Sequence, residues 1–103
     1  MLTFDYNSDE QVLTMTFAGR MDTLAVGKLN EMMASESTLQ NLKPSDKIVF
    51  DLNEVDYIAS SFIRICVAQA KHMERSHFCI ANCQPFIKKT FKISGLDELL
   101  NVT

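Results

Sequence analysis

Ile48-Val49-Phe50-Asp51-Leu52-Asn53-Glu54-Val55-Asp56-Tyr57-Ile58-Ala59-Ser60-Ser61-Phe62 is the stretch on which the fold turns. Its first part, with Lys47 ahead of it, is a short apolar run containing β-branched residues, the composition of a strand covered on both faces. Asn53 to Tyr57 read as a connection, and Ile58-Ala59 leads into a pair of serines. From Ser61 to about Arg75 the apolar residues fall at helical spacing. Ile63, Cys66, Val67, Ala70 and Met73 share one side, while Arg64, Lys71 and Arg75 share another.

Working outward, Leu2-Thr3-Phe4-Asp5-Tyr6 and Val12-Leu13-Thr14-Met15-Thr16-Phe17 both alternate apolar with polar. The Asn7-Ser8-Asp9-Glu10 segment between them is turn chemistry, which predicts an antiparallel hairpin. Gly19 is expected to end the second strand. Asp22 or Thr23 then caps a helix running to about Ser37, with Leu24, Leu29, Met32 and Met33 along one side. Gln40 to Asp46, with Pro44, is a predicted loop. Beyond the central stretch, His77 to Ala81 reads as a second buried strand. Pro85 suits the first turn of a helix that runs to Ile93 and stops at Ser94-Gly95, where glycine is free to take φ > 0. Asp97 to Val102 is a last short element. The order β-β-α-β-α-β-α predicts an α/β domain whose sheet is largely parallel with an antiparallel edge from the hairpin. Neither an internal repeat nor a linker interrupts residues 1–103, which read as one domain.

The chain carries 47% hydrophobic and 22% charged residues, the balance of a globular domain. At this length a core forms without disulfides or metal. A net charge of −3 argues against a nucleic-acid partner, which calls for a basic face, and no polybasic patch for anionic lipid is expected. Cys66, Cys79 and Cys83 are an odd number of thiols, pointing to a reducing compartment. The amino terminus lacks the pattern of a secretory signal, and no apolar run approaches the ~20 residues that cross a bilayer. A soluble cytoplasmic protein without direct membrane insertion is expected.

Chemistry concentrates at Ser60-Ser61. A helix start leaves backbone N–H groups without intrahelical partners, and the helix dipole favours negative charge there. A serine at that place either caps the helix, worth about 1 kcal/mol, or accepts a phosphate whose charge the free N–H groups hold. Two consecutive serines allow both uses, with Ser60 capping and Ser61 facing solvent. Asp22 reads as a helix cap or as part of an interface at the same sheet end, since both follow strand carboxyl ends. Asp51 reads as hydrogen-bonded to loop amides. His77, Cys79 and Cys83 invite a metal reading, but the four ligands of a structural zinc site are not all there. With no nucleophile, base and orienting group expected to converge and no glycine-rich phosphate loop, neither catalysis nor a cofactor is expected.

The central stretch resembles the signature of the STAS family (sulphate transporter and anti-sigma factor antagonist domains): an apolar strand, Asp-Leu-Ser, a spacer with Val, an apolar pair, then Asp-Ser-Ser-Gly opening a helix. Phe17-Ala18-Gly19-Arg20-Met21-Asp22 is similar to the family's Gly-x-Leu-Asp, and Phe91-Lys92-Ile93-Ser94-Gly95-Leu96 to its closing Ser/Thr-Gly-Leu segment. The resemblance implies a four- to five-stranded mixed sheet with helices mainly on one face. It also implies a bacterial partner-switching cycle. The unphosphorylated antagonist binds a serine kinase that is also an anti-sigma factor, phosphate on Ser61 breaks the complex, and a PP2C-type phosphatase restores it. The resemblance designates Ser61 as the phosphorylated position; Ser60, Ser61, Phe62 and Asp22 are the expected partner-binding residues, Asp22 and Phe62 from their own place at this sheet end. Two residues depart from the pattern: Ala59 stands where the family has Asp, and Phe62 where it has Gly. Phe62 is either a core residue or an exposed aromatic anchor for a partner. Other readings of the same family are a constitutive accessory subunit of a membrane transporter and a nucleotide-binding domain.

Overall fold

The computed structural model describes residues 1–74 and 76–103. Four strands form one sheet in the order β1-β2-β3-β4: β1 is Leu2–Asn7, β2 Val12–Met21, β3 Lys47–Ile58 and β4 Phe78–Ala81. The hairpin β1-β2 is antiparallel, while β2-β3 and β3-β4 are parallel. Helices α1 (Thr23–Ser35), α2 (Ser37–Gln40), α3 (Ser60–His72) and α4 (Pro85–Ile93) fill the connections. The mixed sheet with its antiparallel edge is the architecture the alternation of elements predicts.

One face of the sheet builds the core. Leu13, Met15 and Phe17 of β2, Ile48, Phe50 and Leu52 of β3, and Phe78 and Ile80 of β4 are buried in a single cluster. Val26 and Leu29 of α1, Phe62, Ile65 and Cys66 of α3, and Ile87 and Phe91 of α4 join it. The alternate strand positions Thr14, Thr16, Val49, Asp51 and Cys79 are only half-buried. The helices thus share one side of the sheet.

Several boundaries differ from expectation. Strand β3 does not stop at Leu52 but runs on to Ile58, pairing with β2 as far as Met21 opposite Ile58. Two register shifts in this pair, between Thr16 and Ala18 and between Gly19 and Arg20, each insert an extra residue into β3. Its buried residues therefore pass from every second position (Ile48, Phe50, Leu52) to every third (Val55, Ile58). A connection is what that broken alternation mimics. Gly19 sits inside β2 rather than at its end, with φ of 99°, a conformation that favours glycine beside the bulge.

Helix α1 ends at Ser35, and the short α2 follows at the expected end of the first helix, meeting the expected loop only at Gln40. Helix α3 starts one residue earlier than expected, and the expected position of Arg75 on it lies outside the described residues. Helix α4 has its predicted bounds. It closes with Gly95 at φ 74° and with bonds from Gly95 N to Lys92 O at 3.0 Å and from Leu96 N to Phe91 O at 3.0 Å, a Schellman turn. Residues 97–102 form turns, and Val102 bridges Ile80 at the open edge of β4.

Candidate functional site

Parallel pairing brings the ends of β2 and β3 together. Ala59 N donates to Met21 O at 2.9 Å, so α1 and α3 begin side by side at one end of the sheet. The first of these starts is closed by its own sequence: Ala25 N donates to the Asp22 carboxylate at 2.9 Å, and Val26 N to the Asp22 carbonyl at 2.9 Å. Asp22, not Thr23, is the cap.

The second start is open. Ala59, with extended backbone (φ −92°, ψ 164°), occupies the cap position and has no side-chain oxygen to offer. Ser60 is the first helical residue, not the cap, and it is exposed. The amides of Ser60 and Ser61 have no acceptor among the described residues. Nor does Ser61 face solvent as expected. Its hydroxyl is shielded from water and has no hydrogen-bond partner among the described residues. One residue's difference in where the helix begins rotates the pair, exposing Ser60 and turning Ser61 inward.

Phe62 is fully buried, its ring meeting Phe17 edge-on with centroids 5.3 Å apart and planes at 84°. It is therefore no exposed anchor. It ties the first turn of α3 to β2 and takes no direct part in a surface. Asp51 accepts from Asn53 N at 3.0 Å and from the Asn82 side-chain amide at 3.2 Å, fastening the strand ends rather than presenting a reactive carboxylate.

The exposed rim of this end holds residues that sequence reasoning did not single out. Arg20 lies over the Tyr57 ring at 4.3 Å, and its Nε is 3.9 Å from the Asp22 carboxylate. Both partners of that ion pair are well exposed, so it orients the guanidinium more than it stabilises the fold. Glu54 and Asp56 point outward from the bulged strand, and Leu24, expected on the apolar side of α1, is instead 75% exposed beside the cap, Val26 taking its place in the core. The pairing of Arg20 with Tyr57 depends on both bulges, and nothing in the residue pattern alone signals it.

The remaining candidates do not assemble. His77 precedes β4 rather than lying on it, and no group of three metal-binding side chains converges among the described residues. Burial pushes the Cys66 thiol strongly upward, raises Cys79, and lifts Cys83 to about 11 despite the nearby Lys88, so none is a ready thiolate at neutral pH. A groove of about 500 Å³, lined by Lys71, Glu74, Phe78, Glu98 and Leu99 among others, lies near the far end of α3. About 15 Å of helix separates it from the serine pair.

The STAS domain profile matches residues 3–103. The chain belongs to the STAS domain family. A curated relative, the provisionally named anti-sigma factor antagonist BtrV of Bordetella bronchiseptica, is 28% identical over 74 residues, which make up 70% of this chain and 64% of BtrV. The aligned part thus spans less than two thirds of that relative. Among solved structures, an anti-sigma-factor antagonist STAS domain protein from Planctomyces limnophilus superposes with a TM-score of 0.80 at 19% identity, covering 99% of this chain and 87% of its own. The Bacillus cell fate determinant SpoIIAA in its phosphorylated form gives 0.66 at 15% identity, covering 100% and 91%. These likenesses establish the STAS fold.

Proposed function

We propose that this STAS domain is a regulatory protein-binding module of a bacterial partner-switching pathway. Unphosphorylated, it binds an anti-sigma factor that is also a serine kinase, through the sheet end where α1 and α3 begin. Phosphorylation of Ser61 releases it, and a PP2C-type phosphatase resets it in the cytoplasm. The module receives phosphate and performs no turnover of its own.

The observation that carries this reading is the uncapped start of α3, which opens with two serines beside the fully capped start of α1. The name of the curated relative supports the same pathway type. Ser61 must turn its hydroxyl outward to meet a kinase, a rotation between staggered wells that breaks no hydrogen bond because the hydroxyl makes none. The phosphate then carries a charge of roughly −1.5 to −2, and the free Ser60 and Ser61 amides lie at the dipole end that holds it. In a packed interface the same charge is desolvated without a partner, and a loss of ~3 kcal/mol lowers occupancy by more than a hundredfold.

The test is capture from the source cell lysate with wild-type, Ser61→Ala and Ser61→Glu baits, together with mapping of the phosphorylated serine. A kinase retained by Ser61→Ala and lost with Ser61→Glu is the expected result. Equal retention by all three baits would overturn the switch and favour a constitutive subunit. Phosphate found on the exposed Ser60 alone would move the acceptor by one residue.

A further inference from the structure

Helix α4 carries a charge pattern that the whole-chain balance hides. The protein is −3 overall, yet Pro85–Ile93 contains Lys88, Lys89 and Lys92 and no acid. Ile87 and Phe91, both 0% exposed, pin one side of this helix into the core and so fix what the other side shows. At about 100° per residue, Lys89 lies opposite the buried pair, with Phe86 and Ile93 on one flank and Lys92 and Lys88 on the other. Phe86 is 67% and Ile93 76% exposed. They stand about 10 Å apart along the axis. None of the three ammonium groups is paired, because the one ion pair among the described residues is Arg20–Asp22.

Unpaired lysines beside a bare aromatic ring and a bare β-branched side chain complement a surface that is both anionic and partly apolar. An acidic protein and a bilayer with anionic headgroups both have that chemistry. Lysine is depleted from the desolvated centres of protein interfaces, since a compact ammonium is strongly hydrated. At a bilayer its stem lies along apolar surface while the ammonium stays among hydrated headgroups. The lysines and apolar side chains are interleaved on one short helix, the composition of an interfacial helix.

We propose that the exposed face of α4 is a peripheral contact surface for bilayers with anionic headgroups. Phe86 and Ile93 enter the interface, and Lys88, Lys89 and Lys92 supply the attraction. Asp97 and Glu98 follow beyond the Gly95 turn and oppose it, so the contact is weak, reversible and sensitive to salt. The proposal is independent of the serine switch.

Co-sedimentation of the full chain with vesicles of phosphatidylcholine, alone or mixed with phosphatidylglycerol, tests it. The protein pellets with the mixed vesicles only, and less as salt rises. Replacing all three lysines (Lys88→Gln, Lys89→Gln, Lys92→Gln) lowers the partition coefficient about a hundredfold, roughly fivefold per lysine. Phe86→Ser with Ile93→Ser lowers it about tenfold. The chain has no tryptophan, so Phe86→Trp is a single reporter whose emission shifts to the blue on binding. Absence of pelleting with mixed vesicles at low salt would overturn the proposal, and is what an acidic protein as the occupant predicts. Equal pelleting of the lysine variant, or of wild type with phosphatidylcholine alone, would overturn it too.

Discussion

Helices α1 and α3 start side by side at the same end of one sheet, each following a parallel strand, yet they treat their first turns in opposite ways. Helix α1 spends the Asp22 carboxylate on the Ala25 amide at 2.9 Å. Helix α3 has Ala59 at the matching position and leaves its first amides without an acceptor among the described residues. Instead it is held from below, by the buried Phe62 ring against Phe17. A helix secured by its core face needs no polar cap to hold its place, and in the proposed switch its exposed start is what a phosphate would occupy. That division of labour is what the substitutions below are designed to break.

Phe62→Ala removes the anchor and costs about 3–5 kcal/mol, read as a lower midpoint in urea denaturation. An unchanged midpoint would mean that α3 is held by other contacts. Ser61→Glu weakens the kinase complex about a hundredfold, as measured by titration calorimetry with the captured partner. Ser61→Ala binds normally and is neutral or slightly stabilising, because it removes a shielded hydroxyl that makes no bond. Asp22→Ala costs ~1 kcal/mol of thermal stability, the value of a cap. Ser60→Ala, one residue inside its helix, costs a few tenths of that, since no cap is lost. In the opposite sense, Ala59→Asp makes the second start resemble the first. It raises stability by ~0.5–1 kcal/mol and, by filling the free amides, leaves less for a phosphate to gain. Arg20→Ala is the mildest change. Its exposed ion pair and ring contact are worth under about 1 kcal/mol to stability, so its effect falls on partner affinity rather than on unfolding.

Much of this geometry was legible in the residues. The turn chemistry at Asn7 to Glu10, the Asp22 cap, and the Pro85 and Gly95 bounds of α4 each rest on local rules, and each stands in the structure. The serine pair was placed at the correct helix start but in the wrong rotation. That start moves by one residue with the backbone angles of Ala59, a boundary that sequence pattern does not fix. Strand β3 was cut short because two bulges replace its period of two with a period of three. Arg20 and Tyr57 went unremarked for the same reason, since their contact depends on a register that only the bulged pairing creates. The surface of α4 was hidden by averaging: a net charge of −3 says nothing about where the cations gather.

The bulges of β3 carry one more consequence. A regular strand shows the surface one residue for each residue it buries. Between Leu52 and Ile58, β3 shows Asn53, Glu54, Asp56 and Tyr57 while burying only Val55 in their midst. Beside the serine pair the strand thus offers solvent two side chains for each one it buries. In the proposed partner switching, these four exposed side chains can be exchanged to alter the contacts a partner meets without repacking a single core residue.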